Sequence, residues 1–305
     1  MVQKQQAWPV RSIKAGNVNS RLTRRILHEL GINTVCDRAR CPNLPECFAN
    51  KTATFLILGN VCTRKCSFCA VSKGMPQDLD ALEPLNIAVA VKRLNLDYIV
   101  ITSVTRDDLA DGGAGHFLSV VQQIRSHTPN TRIELLIPDF KGEERAMDKI
   151  IRTSIDVFGH NIETVPRLYK EIRPGANYQV SLKALRYLKR NTNTLTKCGL
   201  MLGLGEKFSE VIDVLKDLRR VNCDIITLGQ YLCPGRDNLK TCEYIQPEMF
   251  KCYEQQAKAM GFRFVKAGPF VRSSYHAREV VMEKAEPRMA QKEGSVLPRI
   301  AHKKT

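Results

Sequence analysis

Short apolar runs alternate along most of the chain with longer segments of helical periodicity. The runs are rich in β-branched residues and are bounded by glycine, proline or polar residues, a pattern that predicts strands. Six such runs follow one another: Thr54–Gly59, Tyr98–Val104, Ile133–Ile137, Asp156–His160, Cys198–Leu204 and Asp224–Leu228. A shorter apolar run, Phe262–Val265, comes after the last of them.

Amphipathic segments of ordinary helix length separate these runs. They are Leu85–Leu94, Gly115–Ser126, Glu143–Thr153, Val180–Lys189 and Glu210–Arg219, and a further one, Glu248–Met260, follows the sixth run. Strands that alternate with helices form a parallel sheet in an α/β fold. Six units are fewer than the eight of a complete barrel, so periodicity leaves a partial (β/α) barrel and a doubly wound sheet open.

The two ends of the chain differ from this repeating region. Residues 1–50 are basic and polar, with one predicted helix, Arg21–Leu30, followed by Gly31 and then by the proline- and cysteine-rich stretch CPNLPEC. Polar and charged sequence follows Ala277. We therefore expect an N-terminal extension over 1–50, the βα region over 51–277 and a mobile tail over 278–305.

The composition favours a folded protein over a disordered or fibrous one. Of the 305 residues, 43% are hydrophobic and 26% are charged. The chain has no apolar run long enough for a membrane helix and its first residues lack the apolar stretch of a signal peptide, so we expect a cytoplasmic protein without a membrane partner. The net charge of +16 would attract acidic partners, but it is equally compatible with an ordinary solubilising surface.

Six of the eleven cysteines lie between residues 36 and 69. Cys62, Cys66 and Cys69 form a Cys-x3-Cys-x2-Cys triplet directly after the first predicted strand. A closed structural zinc site needs four ligands, whereas three thiolates can hold a [4Fe-4S] cluster with one iron left open for another ligand. The other five cysteines are scattered, which is typical of small buried hydrophobic residues.

This triplet resembles the motif of the radical S-adenosylmethionine (SAM) superfamily, in which an aromatic residue, here Phe68, precedes the third cysteine. The resemblance implies a [4Fe-4S] cluster that cleaves SAM to a 5′-deoxyadenosyl radical. It also implies a partial (β/α)6 barrel of the TIM type, with the cluster where the βα loops converge. The strings DGGAG and GLGE, after the second predicted strand and on the fifth, support it.

Five residues are predicted to form the SAM pocket. Phe68 is expected against the adenine, and Gly203 and Glu206 are expected in the GLGE turn, where a glycine lets the backbone approach a cofactor closely. Asn161 and Arg173 are predicted as polar contacts from their positions. An ordinary strand-to-helix turn is the alternative interpretation of GLGE.

The second triplet, Cys36, Cys41 and Cys47, has Cys-x4-Cys-x5-Cys spacing, unlike the zinc patterns. Together with TRDDLADGGA, HN, RPGA, LGQYL and GPFVRSSYHA, it resembles the lipoyl synthase family from about residue 20 to residue 277. The resemblance implies an auxiliary [4Fe-4S] cluster on these cysteines, with Ser274 of RSSY as its fourth protein ligand. Cys198 departs from the family, in which many relatives have serine, but it matches no cluster ligand.

The same resemblance implies a reaction and its partners. The reaction is radical insertion of two sulfur atoms at C6 and C8 of a protein-bound octanoyl-lysine, with the auxiliary cluster as the sulfur donor. The implied partners are an octanoylated lipoyl carrier domain or H protein, a reducing electron donor and an iron-sulfur carrier that rebuilds the cluster, and no nucleic acid is expected.

Three other functional interpretations of the sequence are considered beside this one. Biotin synthase would share the first triplet but lacks the CPNLPEC element. A methylthiotransferase would carry its extra cluster with different spacing and an added RNA-binding module. A zinc-dependent nucleic-acid-binding protein would fit the charge, but the chain has no paired Cys-x2-Cys spacing and no RNP-like strand.

Overall fold

One sheet of eight strands forms the centre of the computed structural model, which describes residues 18–39, 41–49 and 53–274. Two further short strands pair with each other beside it. In chain order the strands are β1 (Asn33–Thr34), β2 (Thr54–Ile57), β3 (Val61–Cys62), β4 (Ser72–Lys73), β5 (Tyr98–Ser103), β6 (Arg132–Leu136), β7 (Val157–Gly159), β8 (Leu195–Leu202), β9 (Ile225–Gln230) and β10 (Phe264–Gly268).

The order of the strands decides between the two architectures that periodicity left open. The main sheet runs β1-β2-β5-β6-β7-β8-β9-β10, and every pair from β2 onward is parallel. A doubly wound sheet would reverse its order at a switch point, whereas this one continues in one direction as a barrel does. No pairing joins β1 to β10 in the described part of the chain, so the barrel is partial.

All six predicted strands are confirmed, and the sheet extends beyond them at both ends. The run Phe262–Val265 belongs to a seventh parallel strand, β10, which pairs with β9 from Phe264↔Ile225 to Gly268↔Gly229. At the other edge β1 pairs antiparallel with β2. The predicted tail over 278–305 lies outside the described residues.

The helices cover the outer face of the sheet and confirm the predicted segments. They are α1 (Val18–Glu29), α2 (Val35–Arg38), α3 (Leu44–Ala49), α4 (Glu83–Leu94), α5 (Ala114–His127), α6 (Glu144–Ile151), α7 (Tyr169–Ile172), α8 (Tyr178–Asn191), α9 (Phe208–Arg220) and α10 (Pro247–Ala259), with single 3₁₀ turns at Phe140–Gly142 and Pro166–Leu168. None of the described helices is long and apolar enough to cross a bilayer.

The inner face of the sheet closes one end of the barrel. Inward-facing residues near the beginnings of four strands form an apolar cluster: Tyr98, Val100, Val157, Leu195 and Ile225. Next to this cluster the Lys197 ammonium lies 2.9 Å from the Glu134 carboxylate, which also accepts a 2.6 Å hydrogen bond from the Tyr98 hydroxyl. This end is therefore filled, and a cavity is left at the carboxyl ends of the strands.

Candidate active site

Five of the six clustered cysteines line one cavity of about 510 Å³ at the carboxyl ends of the strands. They are Cys36 and Cys41 of the second triplet and Cys62, Cys66 and Cys69 of the first. Ser274 lines the same cavity. Cys47 lies on α3, directly before the fully buried Phe48, and is not one of the lining residues.

The loop that carries the first triplet is anchored at three separate places. The Thr63 amide donates to the Thr105 carbonyl after β5, and the Ser67 amide donates to the Ile172 carbonyl at the end of α7, both at 3.0 Å. The Asn238 side chain, from the loop after β9, donates to the Cys69 carbonyl at 2.9 Å. A loop of eight residues is thus fixed by hydrogen bonds of its backbone to three βα connections.

Arg64, between the first two cysteines of this triplet, adds a buried ionic anchor. Its guanidinium donates two hydrogen bonds to Asp139, at 2.6 and 2.7 Å, and two to Asp107, at 2.8 and 3.1 Å. The paired guanidinium holds the pKa of Asp139 at about 2 in spite of burial. Because a bidentate pair fixes both distance and orientation, Arg64 ties the cysteine loop to the ends of β5 and β6.

The thiols of the first triplet are suited to a cluster rather than to one ion. Burial raises the pKa of Cys69 to about 11 and also raises that of Cys66, and each thiol lies within electrostatic reach of the others. Among the described residues no three His, Cys, Asp or Glu side chains are close enough to hold a single metal ion. A cubane holds its thiolates further apart than one ion does, since each binds a different iron.

The second triplet reaches the cavity through α2 and the residues that follow it, because Cys36 and Cys41 are both lining residues. Burial raises the pKa of Cys36, on α2, to about 11. The Arg272 guanidinium, in the RSSY string, is within electrostatic reach of Cys41.

Ser274 is placed by contacts with three distant parts of the chain. The Asn43 side chain, in CPNLPEC, donates to the Phe270 carbonyl at 2.8 Å. Gly229 on β9 lets the backbone of Val271 pass closely, because a Cβ there would lie 2.0 Å from the Val271 oxygen. The Thr54 hydroxyl donates to the Ser274 oxygen at 2.8 Å. The serine therefore faces the cavity beside the second triplet.

Phe68 and Asn161 line the cavity, and Asn161 presents a polar atom without a partner. Its buried Oδ1 accepts no hydrogen bond from the residues that the structure describes, although buried polar atoms are normally paired. A Cβ at Gly199, on β8, would lie 2.8 Å from this oxygen, so glycine leaves it room. An orphaned acceptor at the cavity wall fits a ligand that carries hydroxyl or amino groups.

Gly203, Glu206 and Arg173 do not line the cavity but lie behind its wall. The Glu206 carboxylate accepts from the Gly203 and Leu204 amides at 2.6 and 2.8 Å, which holds the GLGE turn. A Cβ at Gly203 would lie 2.3 Å from the side chain of Gln230, which does line the cavity. The Arg173 guanidinium donates to the Asn161 carbonyl at 3.0 Å.

Glu163 is a lining residue that sequence reasoning missed. It follows the HN motif by two residues and has φ of 69°, in the left-handed region that disfavours side chains. Its amide donates to Gly199 and its carbonyl accepts from Met201, which hold this conformation against β8. Burial raises the pKa of its carboxyl group. The alternation of an extended strand could not have placed this side chain, because the backbone of Glu163 is left-handed and its sequence signal was only its position two residues after Asn161.

Comparison with known proteins identifies the class and then the family. The radical SAM superfamily profile matches residues 56–218. The fold resembles SuiB of Streptococcus suis in complex with SAM, with a TM-score of 0.56 and 10% identity over 74% of this chain and 54% of that one. It also resembles the hydrogenase maturase HydG, with a TM-score of 0.50 and 11% identity over 88% and 78% of the two chains. The fold and the three-cysteine loop therefore define a radical SAM enzyme.

Curated relatives then resolve the family within this superfamily. The lipoyl synthase of Caldicellulosiruptor saccharolyticus is 53% identical over 84% of this chain and 90% of its own length. That of Geobacter sp. strain M21 is 52% identical over 86% and 90%. The chain belongs to the lipoyl synthase family.

Proposed function

We propose that this enzyme inserts two sulfur atoms at C6 and C8 of an octanoyl-lysine on a lipoyl carrier protein. The observation that carries the proposal is that cysteines of both triplets open onto one cavity together with Ser274. A reaction that must both activate an unreactive chain carbon and deliver sulfur to it needs the two groups on either side of one substrate. This arrangement supports a lipoyl synthase over an enzyme with one cluster.

The residues of the chain divide into two ligand sets. Cys62, Cys66 and Cys69 would hold the [4Fe-4S] cluster that binds SAM, and the second triplet with Ser274 would hold the auxiliary [4Fe-4S] cluster: Cys36, Cys41 and Cys47. When bound, the first cluster and SAM supply a 5′-deoxyadenosyl radical that removes hydrogen from the chain, and the auxiliary cluster supplies sulfur. Thiolate ligands must lose their protons to bind iron, so cluster loading overcomes the raised pKa of the buried thiols.

The wall of the cavity provides the contacts for SAM. Phe68 offers an aromatic face, and the Asn161 oxygen and the Glu163 carboxyl group offer acceptors for hydroxyl or amino groups. Gly203 and Glu206 lie behind the lining residues and act indirectly, because the turn that they form supports Gln230. Arg173 fixes the Asn161 backbone in the same indirect way.

The substrate chain requires an apolar path that excludes water. Apolar residues from four elements line the cavity: Val35, Leu56, Val104 and Met201. The barrel end below them is filled by the apolar cluster around Tyr98. Among the described residues the loop side is thus the open end for an octanoyl chain, and a carbon radical would be shielded from solvent there.

The partners follow from this chemistry. The substrate is an octanoylated lipoyl domain or H protein, and a net charge of +16 would favour an acidic carrier surface. A low-potential electron donor and an iron-sulfur carrier complete the set. All eleven cysteines are free thiols, which fits a reducing, cytoplasmic setting.

Separate replacement of the two triplets tests the proposal. The Cys62→Ala, Cys66→Ala and Cys69→Ala variants should form neither 5′-deoxyadenosine nor lipoyl product from an octanoylated peptide. The Cys36→Ala, Cys41→Ala and Cys47→Ala variants should still form 5′-deoxyadenosine but transfer no sulfur. Anaerobic iron and sulfide counting provides the control for cluster content, and equal loss of both activities in both sets would contradict the division.

A further inference from the structure

Thr54 lies between two proposed ligands that come from opposite ends of the chain. It is the first residue of β2, is 6% exposed and lines the cavity. Its hydroxyl donates to the Ser274 oxygen at 2.8 Å, across 220 residues of sequence. This is the side-chain hydrogen bond that Ser274 makes among the described residues.

The other neighbour of Thr54 is Cys36. The antiparallel register pairs Thr34 with Phe55, which brings Cys36, two residues after Thr34 and on α2, toward Thr54. The Thr54 backbone amide and hydroxyl both lie close enough to the Cys36 thiol to lower its pKa, against the larger effect of burial. One residue of the first barrel strand therefore touches the cysteine and the serine at once.

The hydrogen-bonding capacity of these three groups changes when iron binds. A thiolate and a serine alkoxide are acceptors only, so neither can then donate to Thr54. Thr54 has two protons to give, one on its amide and one on its hydroxyl. The amide serves the Cys36 sulfur and leaves the hydroxyl for the Ser274 oxygen, which is the stronger acceptor of the two.

We propose that Thr54 is the positioning residue of the auxiliary cluster: its hydroxyl holds Ser274 in the orientation that binds iron and so sets how readily this ligand is released. The inference rests on the proposed role of Ser274. An oxygen ligand on an iron-sulfur cluster is a poor match for iron that prefers thiolate, so its retention depends on such second contacts. The hydroxyl would thereby set how readily the iron held by Ser274 is lost.

Thr54→Val removes the hydroxyl and keeps the shape and the strand preference of the side chain. Iron release from the anaerobically loaded enzyme to a coloured ferrous chelator is the measurement. The auxiliary iron should leave about tenfold faster than in the parent, as expected for the loss of one hydrogen bond to a charged group. Thr54→Ser keeps the hydroxyl and should restore the parent rate.

Thr102→Val is the matched control. Thr102 is also buried, lines the same cavity and loses a hydroxyl bond of 2.7 Å, but its acceptor is the Leu136 carbonyl and not a proposed ligand. This variant should release iron at the parent rate. Thr54→Ala is a second removal of the hydroxyl, and in both Thr54 variants 5′-deoxyadenosine should form at the parent rate. A parent rate of iron release in Thr54→Val or Thr54→Ala would overturn the inference.

The Ser274→Ala background separates this inference from the proposed function. If Thr54 acts through the serine, adding Thr54→Val to Ser274→Ala should change the release rate no further. An additional acceleration would show that Thr54 acts on Cys36 or on the fold, which overturns the inference and leaves the serine as a ligand. If Ser274→Ala alone kept the parent rate and full sulfur transfer, the proposed ligand itself would be wrong.

Discussion

Gly229 provides a direct test of how the tertiary structure places the serine ligand. Gly229 lies on β9 opposite Gly268 of β10. In Gly229→Ala, the new Cβ would lie 2.0 Å from the Val271 oxygen and 3.0 Å from its carbonyl carbon. The strand is held on both sides by its neighbours, so the turn that leads to Ser274 must move.

The size of the movement follows from these distances. A Cβ essentially never approaches another heavy atom closer than 3.0 Å, so the Val271 carbonyl must shift by about 1 Å. A shift of this size three residues before Ser274 would break the 2.8 Å bond from Thr54. Overpacking of this kind costs about 1–3 kcal/mol, which a domain of this size can tolerate.

The assay measures both half-reactions in the same enzyme. Gly229→Ala should form 5′-deoxyadenosine at a rate near that of the parent but lose most sulfur insertion, and its auxiliary iron should be released faster. Gly268→Ala is the matched control, because its Cβ would meet only the Val271 Cγ2 atom at an ordinary 3.4 Å. Normal lipoyl formation by Gly229→Ala would refute the reasoning that this close approach sets the serine.

Two further predictions concern buried groups. His160 is fully buried between the Ile137 carbonyl and the Ser181 hydroxyl, and burial lowers its pKa to about 4 from an ordinary 6.5. As the pH falls, the unfolded chain therefore binds the proton first, so the stability that His160 contributes is complete above pH 6.5 and is lost as the pH falls toward 4. Between pH 6.5 and 5 the free energy of unfolding should fall by about 2 kcal/mol. Urea titrations of a His160→Gln variant should lack this pH-dependent component. Glu206→Ala removes the acceptor of two turn amides and should lower the free energy of unfolding by about 2 kcal/mol. It should also raise the Kd for SAM through Gln230, and calorimetry that finds an unchanged Kd would show that this turn does not support the cofactor pocket.

The sequence by itself determined the features that depend on neighbouring residues. Strand and helix positions follow from local periodicity, so all six predicted strands are found within a few residues of their predicted bounds. The spacing of Cys62, Cys66 and Cys69 within eight residues likewise placed three thiols on one loop whatever the rest of the chain does. Phe68 and Asn161, both predicted for the SAM pocket, line the cavity, and their contacts with SAM stay a prediction.

Only the tertiary structure decided which distant residues come into contact, and whether each one lines the cavity or supports the residues that do. Gly203 and Glu206 belong to a turn whose sequence is equally suited to cofactor contact and to support, and the choice depends on Gln230, more than twenty residues away. The contact of Thr54 with Ser274 requires that β2 and the segment after β10 converge at one end of the barrel. Local sequence preferences do not determine such a meeting, because it follows from the order of the strands around the partial barrel and from the close approach that Gly229 permits.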